Sequence, residues 1–310
     1  MRSNKILIIL SFFILAILFS LPFYATGYLV SLLITIFMYA ILAIAWNILS
    51  GYTGYISLGT AAFFGIGIYV CVLCWKIKIP YLLILFFGGL GSGIFALLIG
   101  LPCLRIRGPY FVILTFGLSE AVKFIIEQIE VKAGSMGNIL VGAPMMETFY
   151  YSLLAIGVLT IVVDHIIRQS RFGLGLATIK QNEEAAEVIG VKTTKYKLFA
   201  FIISAFFMGL IGPVMALRWT FIVPAVAFSS LVSFQTMIMA ILGGSKDFRG
   251  PLLGAVILTL LSEAFGIKFP YHYMIILGLA LIIIVKFLPS GLLNSLSLAY
   301  HKIYHAVSSN

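Results

Sequence analysis

The sequence predicts an all-α protein, a polytopic transmembrane helical bundle of about 8–10 spans, on three observations. Of its 310 residues, 62% are hydrophobic and only 10% charged, where a soluble domain keeps about a quarter charged. Mean hydropathy is +1.15. The apolar residues come in unbroken blocks such as Ile6 to Leu21, Leu29 to Ile44, Tyr150 to Val163 and Met274 to Val285. A helix apolar on every face needs an apolar solvent around it. Basic residues, finally, are distributed unequally between alternate connections.

A span takes about 20 mostly apolar residues. Blocks between polar or Gly/Pro breaks give candidates near 5–22, 28–50, 56–75, 80–101, 109–127, 148–166, 197–218, 231–244, 251–267 and 271–288. The first follows Arg2 and Lys5, a pattern that also describes a secretory signal peptide with cleavage near Ala25-Thr26-Gly27. An uncleaved first helix is the simpler reading, because the run is long enough to span and other spans follow. The Gly-rich 56–75 block and the short 231–244 block are the weakest, and both are expected to be broken or re-entrant. Residues 1–290 read as one transmembrane domain. Residues 291–310 read as a short cytoplasmic tail with Leu296, Tyr300, Ile303, Tyr304 and Val307 at helical spacing, an amphipathic helix at the membrane surface. His301 and His305 stand four apart without a carboxylate and read as interface residues.

With the N-terminus inside and the spans alternating, fourteen of the twenty Lys and Arg residues fall inside. The six outside are Lys76, Lys78, Lys123, Lys132, Arg218 and Lys268. That bias follows the positive-inside rule and places both termini in the cytoplasm. It also accounts for the net charge of +10, and no basic run interleaved with aromatics argues for nucleic acid. Cys71 and Cys74 form a C-x-x-C inside an apolar segment. Metal or redox work would need a second pair or a nearby His, so two small residues one turn apart is the preferred reading.

The inside loop from about 167 to 196 has no continuous apolar run and carries Glu183, Glu184 and Glu187. Asn182 suits an N-cap, the two acids that follow suit the first turn, and Gly190 suits a left-handed stop. Thr193 or Thr194 can cap the next helix, which enters the membrane at Tyr196. The residues alone leave two readings open: a lever docking on another protein, with Ala185 and Ala186 permitting close approach, or a capped connector.

Glu184-Ala185-Ala186-x-x-x-Gly190 resembles the coupling-loop motif of permease subunits in bacterial ABC importers. The wider chain is similar to the branched-chain amino acid permease family. The similar blocks are Asn47 to Gly59 continued by Ala61 to Tyr69, Arg107-Gly108-Pro109-Tyr110-Phe111, Ser170-Arg171-Phe172-Gly173, and Leu242-Gly243-Gly244 with Gly250 to Ala255. The likeness runs in order from about residue 40 to 290. It departs from the family in lacking the I-x-L-P half of the general motif and in having Thr60 where a larger polar residue is common. The resemblance implies an ABC importer permease fold in the bacterial inner membrane. It implies a second related permease, two cytoplasmic ATPases and an extracytoplasmic solute-binding protein as partners. Arg171, Glu183, Glu184, Ala185, Ala186 and Gly190 would then couple to the ATPases. The chain has no phosphate loop of its own, so it is expected to hold no cofactor, ATP and magnesium belonging to the ATPase subunits.

Glycines at 51, 54, 59, 65 and 67, at 88, 89, 91 and 93, and at 243, 244, 250 and 254 read mostly as helix packing. Gly51 to Gly59 is the exception, because Asn47, Ser57 and Thr60 bring hydrogen-bonding groups to it. Those three and Glu120 are the candidate translocation residues. Glu120 with Lys123 also reads as a structural ion pair or a subunit contact. No catalytic constellation supports an enzyme. An ion-coupled secondary transporter would require more acids deep in the spans. Branched-chain amino acids lead as solute, ahead of urea, short amides and other amino acids.

Overall fold

The computed structural model describes residues 15–135, 137–245 and 247–268, with the isolated positions 13, 275, 278, 279 and 291. Most of the expected first span, the span at 271–288, the tail 291–310 and both termini lie outside the described residues. Between them the chain is a helical bundle. Residues 15–20 are helical and a 3₁₀ turn follows at Leu21–Phe23. α1 (Gly27–Trp46) runs on into a π-helical turn, Asn47–Gly51. Then come α2 (Thr60–Lys76), α3 (Tyr81–Cys103), α4 (Pro109–Lys132) and α5 (Met146–Gln169). Two short helices, α6 (Arg171–Gln181) and α7 (Glu183–Val188), precede α8 (Thr193–Trp219). α9 (Pro224–Ala227), α10 (Ser230–Gly243) and α11 (Arg249–Lys268) complete the set.

Among the described residues seven segments are long and apolar enough to cross a bilayer, with α2 a shorter eighth. Helices dominate because hydrocarbon offers no partner for backbone N–H and C=O groups, which a helix satisfies internally. The eight expected spans from 28–50 to 251–267 are all present. Of the two weak ones, the 231–244 block is short as expected, and the Gly-rich 56–75 block forms an uninterrupted helix that starts late. α2 begins at Thr60 and not at 56, and its 17 residues reach about 25 Å at 1.5 Å each. α10, with 14 residues, reaches about 21 Å. Neither fills a hydrocarbon core of about 30 Å alone. Their N-terminal ends meet inside the bundle, where the Ala61 amide donates to Ser233 Oγ at 2.8 Å.

The core is centred on α8, whose buried stretch runs unbroken from Phe207 to Leu217. Small residues let α2 and α3 touch it backbone to backbone. A Cβ on Gly67 would lie 2.3 Å from Gly209 O, and one on Gly88 would lie 2.6 Å from Pro213 Cγ. Ser92 Oγ donates to Phe63 O at 2.7 Å across the same junction. Such approach replaces the hydrophobic drive that is absent between helices in lipid.

The two ends of the bundle differ. At one end α6 and α7 lie beside the starts of α4 and α8. At the other, β1 (Asn138–Ile139) pairs antiparallel with β2 (Phe221–Ile222), Asn138 opposite Ile222. Lys76 Nζ donates to Asn138 Oδ1 there at 2.8 Å.

Candidate functional site

Local rules build the first end. Ser170 caps α6, its Oγ accepting from Gly173 N at 3.2 Å. The helix stops at Gln181, and Asn182 starts the next, its Oδ1 accepting from Ala185 N at 3.1 Å. Gly190, at φ +90°, lets the chain fold back so that Val191 N reaches Ala186 O at 3.0 Å. The expected cap at Thr193 or Thr194 is not what forms. Lys192 takes the cap position of α8 without a side-chain bond, and Thr193 is its first residue. Thr193 Oγ1 donates to Glu187 Oε1 at 2.6 Å, a charge-assisted bond that ties the start of α8 to α7.

α7 turns Ala186 inward, 1% exposed, and presents Glu184, Ala185, Val188 and Ile189 outward. Val188 is 87% exposed and Ile189 69%. Arg171 is exposed on the first turn of α6. Glu183 behaves differently from its neighbours. Its carboxylate points into the bundle, accepting from Lys197 Nζ at 2.6 Å and from the Tyr55 hydroxyl at 2.5 Å. Arg107 Nε stands 3.6 Å from the same carboxylate, while Arg107 Nη1 stands 3.6 Å from Glu184. Lys197, whose side chain is 3% exposed, also donates to Tyr55 OH at 3.0 Å and to Leu104 O at 3.2 Å. Burial by itself would raise the Glu183 pKa, but the hydrogen bonds from Lys197 and Tyr55 and the charges of Lys197 and Arg107 outweigh it. The carboxyl sits below its ordinary value. Burial, then the bond to Glu183, pushes the Tyr55 phenol up.

Tyr55 belongs to the interruption between the π turn and α2. A second lysine reaches the end of the π turn just before it, Lys180 Nζ donating to Gly51 O at 2.7 Å. Tyr52 ties it to α5, its hydroxyl donating to the fully buried Asp164 at 2.9 Å. An open groove of about 720 Å³ lies between the 53–56 stretch, Arg107 to Val112, and the Ile179 to Glu184 stretch.

Deeper in, the interruption has its backbone satisfied by side chains. Trp46 Nε1 donates to Ser57 O at 2.7 Å, and Ser57 N donates to Ser50 Oγ at 3.2 Å. Leu58 N donates to Thr115 Oγ1 at 3.0 Å, and Ser119 Oγ returns a bond to Leu58 O at 3.3 Å. Of the sequence-derived pathway residues, Asn47, Ser57 and Thr60 flank or form this segment. All three are buried. The Asn47 carboxamide and the Thr60 hydroxyl have no hydrogen-bond partner among the described residues. Glu120 does not join them. It lies off the buried Phe111–Thr115–Ser119 stripe of α4, its side chain 35% exposed, and pairs with Lys123 at 2.6 Å.

Sequence reasoning does not single out Tyr55, Lys180, Lys197 or Asp164. The available signals are a tyrosine inside the glycine-rich block, lysines on both sides of the acidic helix, and an acid inside an otherwise apolar span.

The family described as branched-chain amino acid transport system / permease component matches residues 28–285. The chain is 26% identical over 289 residues to the high-affinity branched-chain amino acid transport system permease protein LivM of Salmonella typhimurium, covering 83% of this chain and 68% of that one. LivM of Escherichia coli is 25% identical with the same coverage. The ribose import permease protein RbsC of Haemophilus influenzae is 25% identical over 138 residues, 43% of each chain. With more than half of its length matched, and with the helical bundle that such a match requires, this multi-pass membrane chain belongs to the branched-chain amino acid transport system permease family.

Proposed function

We propose that this chain is a permease subunit of an ATP-binding cassette importer in the bacterial cytoplasmic membrane, with both termini cytoplasmic and branched-chain amino acids as its solute. In this reading it pairs with a second permease, two cytoplasmic ATPases and an extracytoplasmic solute-binding protein. ATP and magnesium sit on the ATPases. Residues 1–290 form the permease domain and 291–310 its tail. The printed functions of the LivM relatives support the solute.

The observation that carries the mechanism is the inward-facing Glu183. The exposed side of α7, with Ala185, Val188 and Ile189, gives an ATPase a small apolar surface to grip. The opposite side is bonded through Glu183 to Lys197 and Tyr55. A displacement of α7 therefore pulls on the 52–59 interruption and on the first turn of α8 together. Local hydrogen-bonded contacts of this kind transmit motion because they have discrete made and broken arrangements. Arg171 and Glu184 orient the docked partner, and Asn47, Ser57 and Thr60 change their exposure as the interruption moves.

The test is purification of the tagged chain from its native membrane followed by uptake of labelled leucine into proteoliposomes. Co-purification of two ATPase chains, and uptake that requires ATP and the binding protein, are the expected results. Uptake by this chain alone, driven by an ion gradient, would sink the proposal.

A further inference from the structure

Away from the α6–α7 end, α1, α10 and α11 line a half-open cavity of about 310 Å³. Its polar lining comes from Thr35, Tyr39, Gln235, Thr259, Ser262 and Glu263, with Met239 as an apolar wall. A water molecule occupies about 30 Å³ in the liquid, so there is room for several waters or a small organic group.

The lining has one sign. Every polar group in it is a hydroxyl, a carboxamide or a carboxylate, and no Lys, Arg or His lines it among the described residues. Arg218 approaches from behind Thr35, but its guanidinium is committed to α1. Nη2 donates to Ser31 O at 3.1 Å and Ser31 Oγ at 2.7 Å, and Nη1 to Thr35 Oγ1 at 3.2 Å. Thr35 Oγ1 in turn donates to Ser31 O at 3.1 Å, which completes that side. Glu263 has no ion-pair partner among the described residues. It accepts one hydrogen bond, from the Tyr28 hydroxyl at 3.1 Å.

A carboxylate within a membrane-spanning helix is costly unless a charge or water compensates it. One turn earlier on the same helix Thr259, 4% exposed, keeps its hydroxyl buried with no hydrogen-bond partner among the described residues. Helical threonines ordinarily satisfy that group on a carbonyl of the preceding turn. Thr259, Ser262 and Glu263 stand at spacings of three and four, so α11 presents them on one face.

We infer that this cavity binds a monovalent cationic head, a primary ammonium group or an alkali cation, with Glu263 as counter-charge and Thr259 and Ser262 as oxygen ligands. Both sources share the requirement for a single positive charge and several oxygen acceptors. The inference does not depend on the ATPase partnership, since it concerns equilibrium binding to this chain alone.

The test measures thermal unfolding of the purified full chain in nanodiscs. Isopentylammonium chloride, sodium chloride and tetraethylammonium chloride are titrated at constant ionic strength, the last as a bulky cation that donates no hydrogen bond. A ligand that binds only the folded state raises the midpoint saturably. The expected result is a saturable rise with isopentylammonium or sodium and none with tetraethylammonium. Response to isopentylammonium alone assigns an amine site, and response to sodium alone an alkali-ion site. Glu263→Gln should weaken the apparent affinity at least about tenfold, as loss of an ionic contact does. Thr259→Val should weaken it less and guards against a Glu263→Gln protein that does not fold. Glu147→Gln, at an exposed acid, should respond as the parent. Absence of any saturable rise in the parent, or a parent-like response in both cavity variants, overturns the inference.

Discussion

Two interruptions of helix, the turn after α7 and the stretch from Tyr52 to Gly59, redirect the chain by opposite means. The first is exposed and self-contained. Gly190 takes the left-handed conformation, and the backbone bonds that close the turn, Gly190 N to Glu187 O and Val191 N to Ala186 O, run between residues close in sequence. The second is buried over its Ser57 to Gly59 half, and the polar backbone there depends on Trp46, Ser50, Thr115 and Ser119, from two different helices. In water a turn that lost its caps could bond to solvent. Inside the bundle an unpaired amide or carbonyl has no such recourse. The exposed turn is thus free to move as a unit, whereas the buried stretch moves only by exchanging partners. Glu183, Tyr55 and Lys197 form the joint between the two.

Breaking the joint should have the largest effect. Lys197→Met leaves Glu183 partly buried without its main counter-charge, and loss of one member of a buried pair costs about 3–5 kcal/mol. Thermal unfolding should register that loss, and the double variant Lys197→Met, Glu183→Gln should recover much of the stability without recovering uptake. Recovery of uptake as well would mean that the joint transmits nothing. The buried interruption comes next. Trp46→Phe removes the donor to Ser57 O, and an orphaned buried acceptor costs about 1–3 kcal/mol. The expected result is lower stability with uptake reduced in proportion. The exposed turn should show the smallest change in stability. Gly190→Val has open space around its Cβ, so the strain is conformational, about 1–2 kcal/mol. The protein should insert and assemble normally, yet hydrolyse ATP without matching uptake. Normal coupling in that variant would argue that α7 is a connector only.

The same contrast governs what could be read from the sequence. Asn182, the acids that follow it and Gly190 announce a capped short helix because their physics is local. Apolar blocks announce the spans for a similar reason, since the solvent acts on each segment separately. The shortness of α10 was visible in its apolar block, whereas the late start of α2 at Thr60 was not. That boundary is set by Thr115 and Ser233, which lie 55 and more residues away. Lys197 looked like one more base of a cytoplasmic loop, and only the fold reveals that it is buried against Glu183. Glu120 pairs with Lys123, one of the readings its sequence left open, and stands beside the narrow stripe that α4 buries.

Where Gly67, Gly209 and Gly212 let three helical backbones come into van der Waals contact, few side chains remain to slip past one another. Sliding there would force peptide atoms directly over peptide atoms, so α2, α3 and α8 are expected to travel as one keel. Any rocking of the subunit has to hinge at its thinly packed flank, along α4, whose buried side is a single narrow stripe.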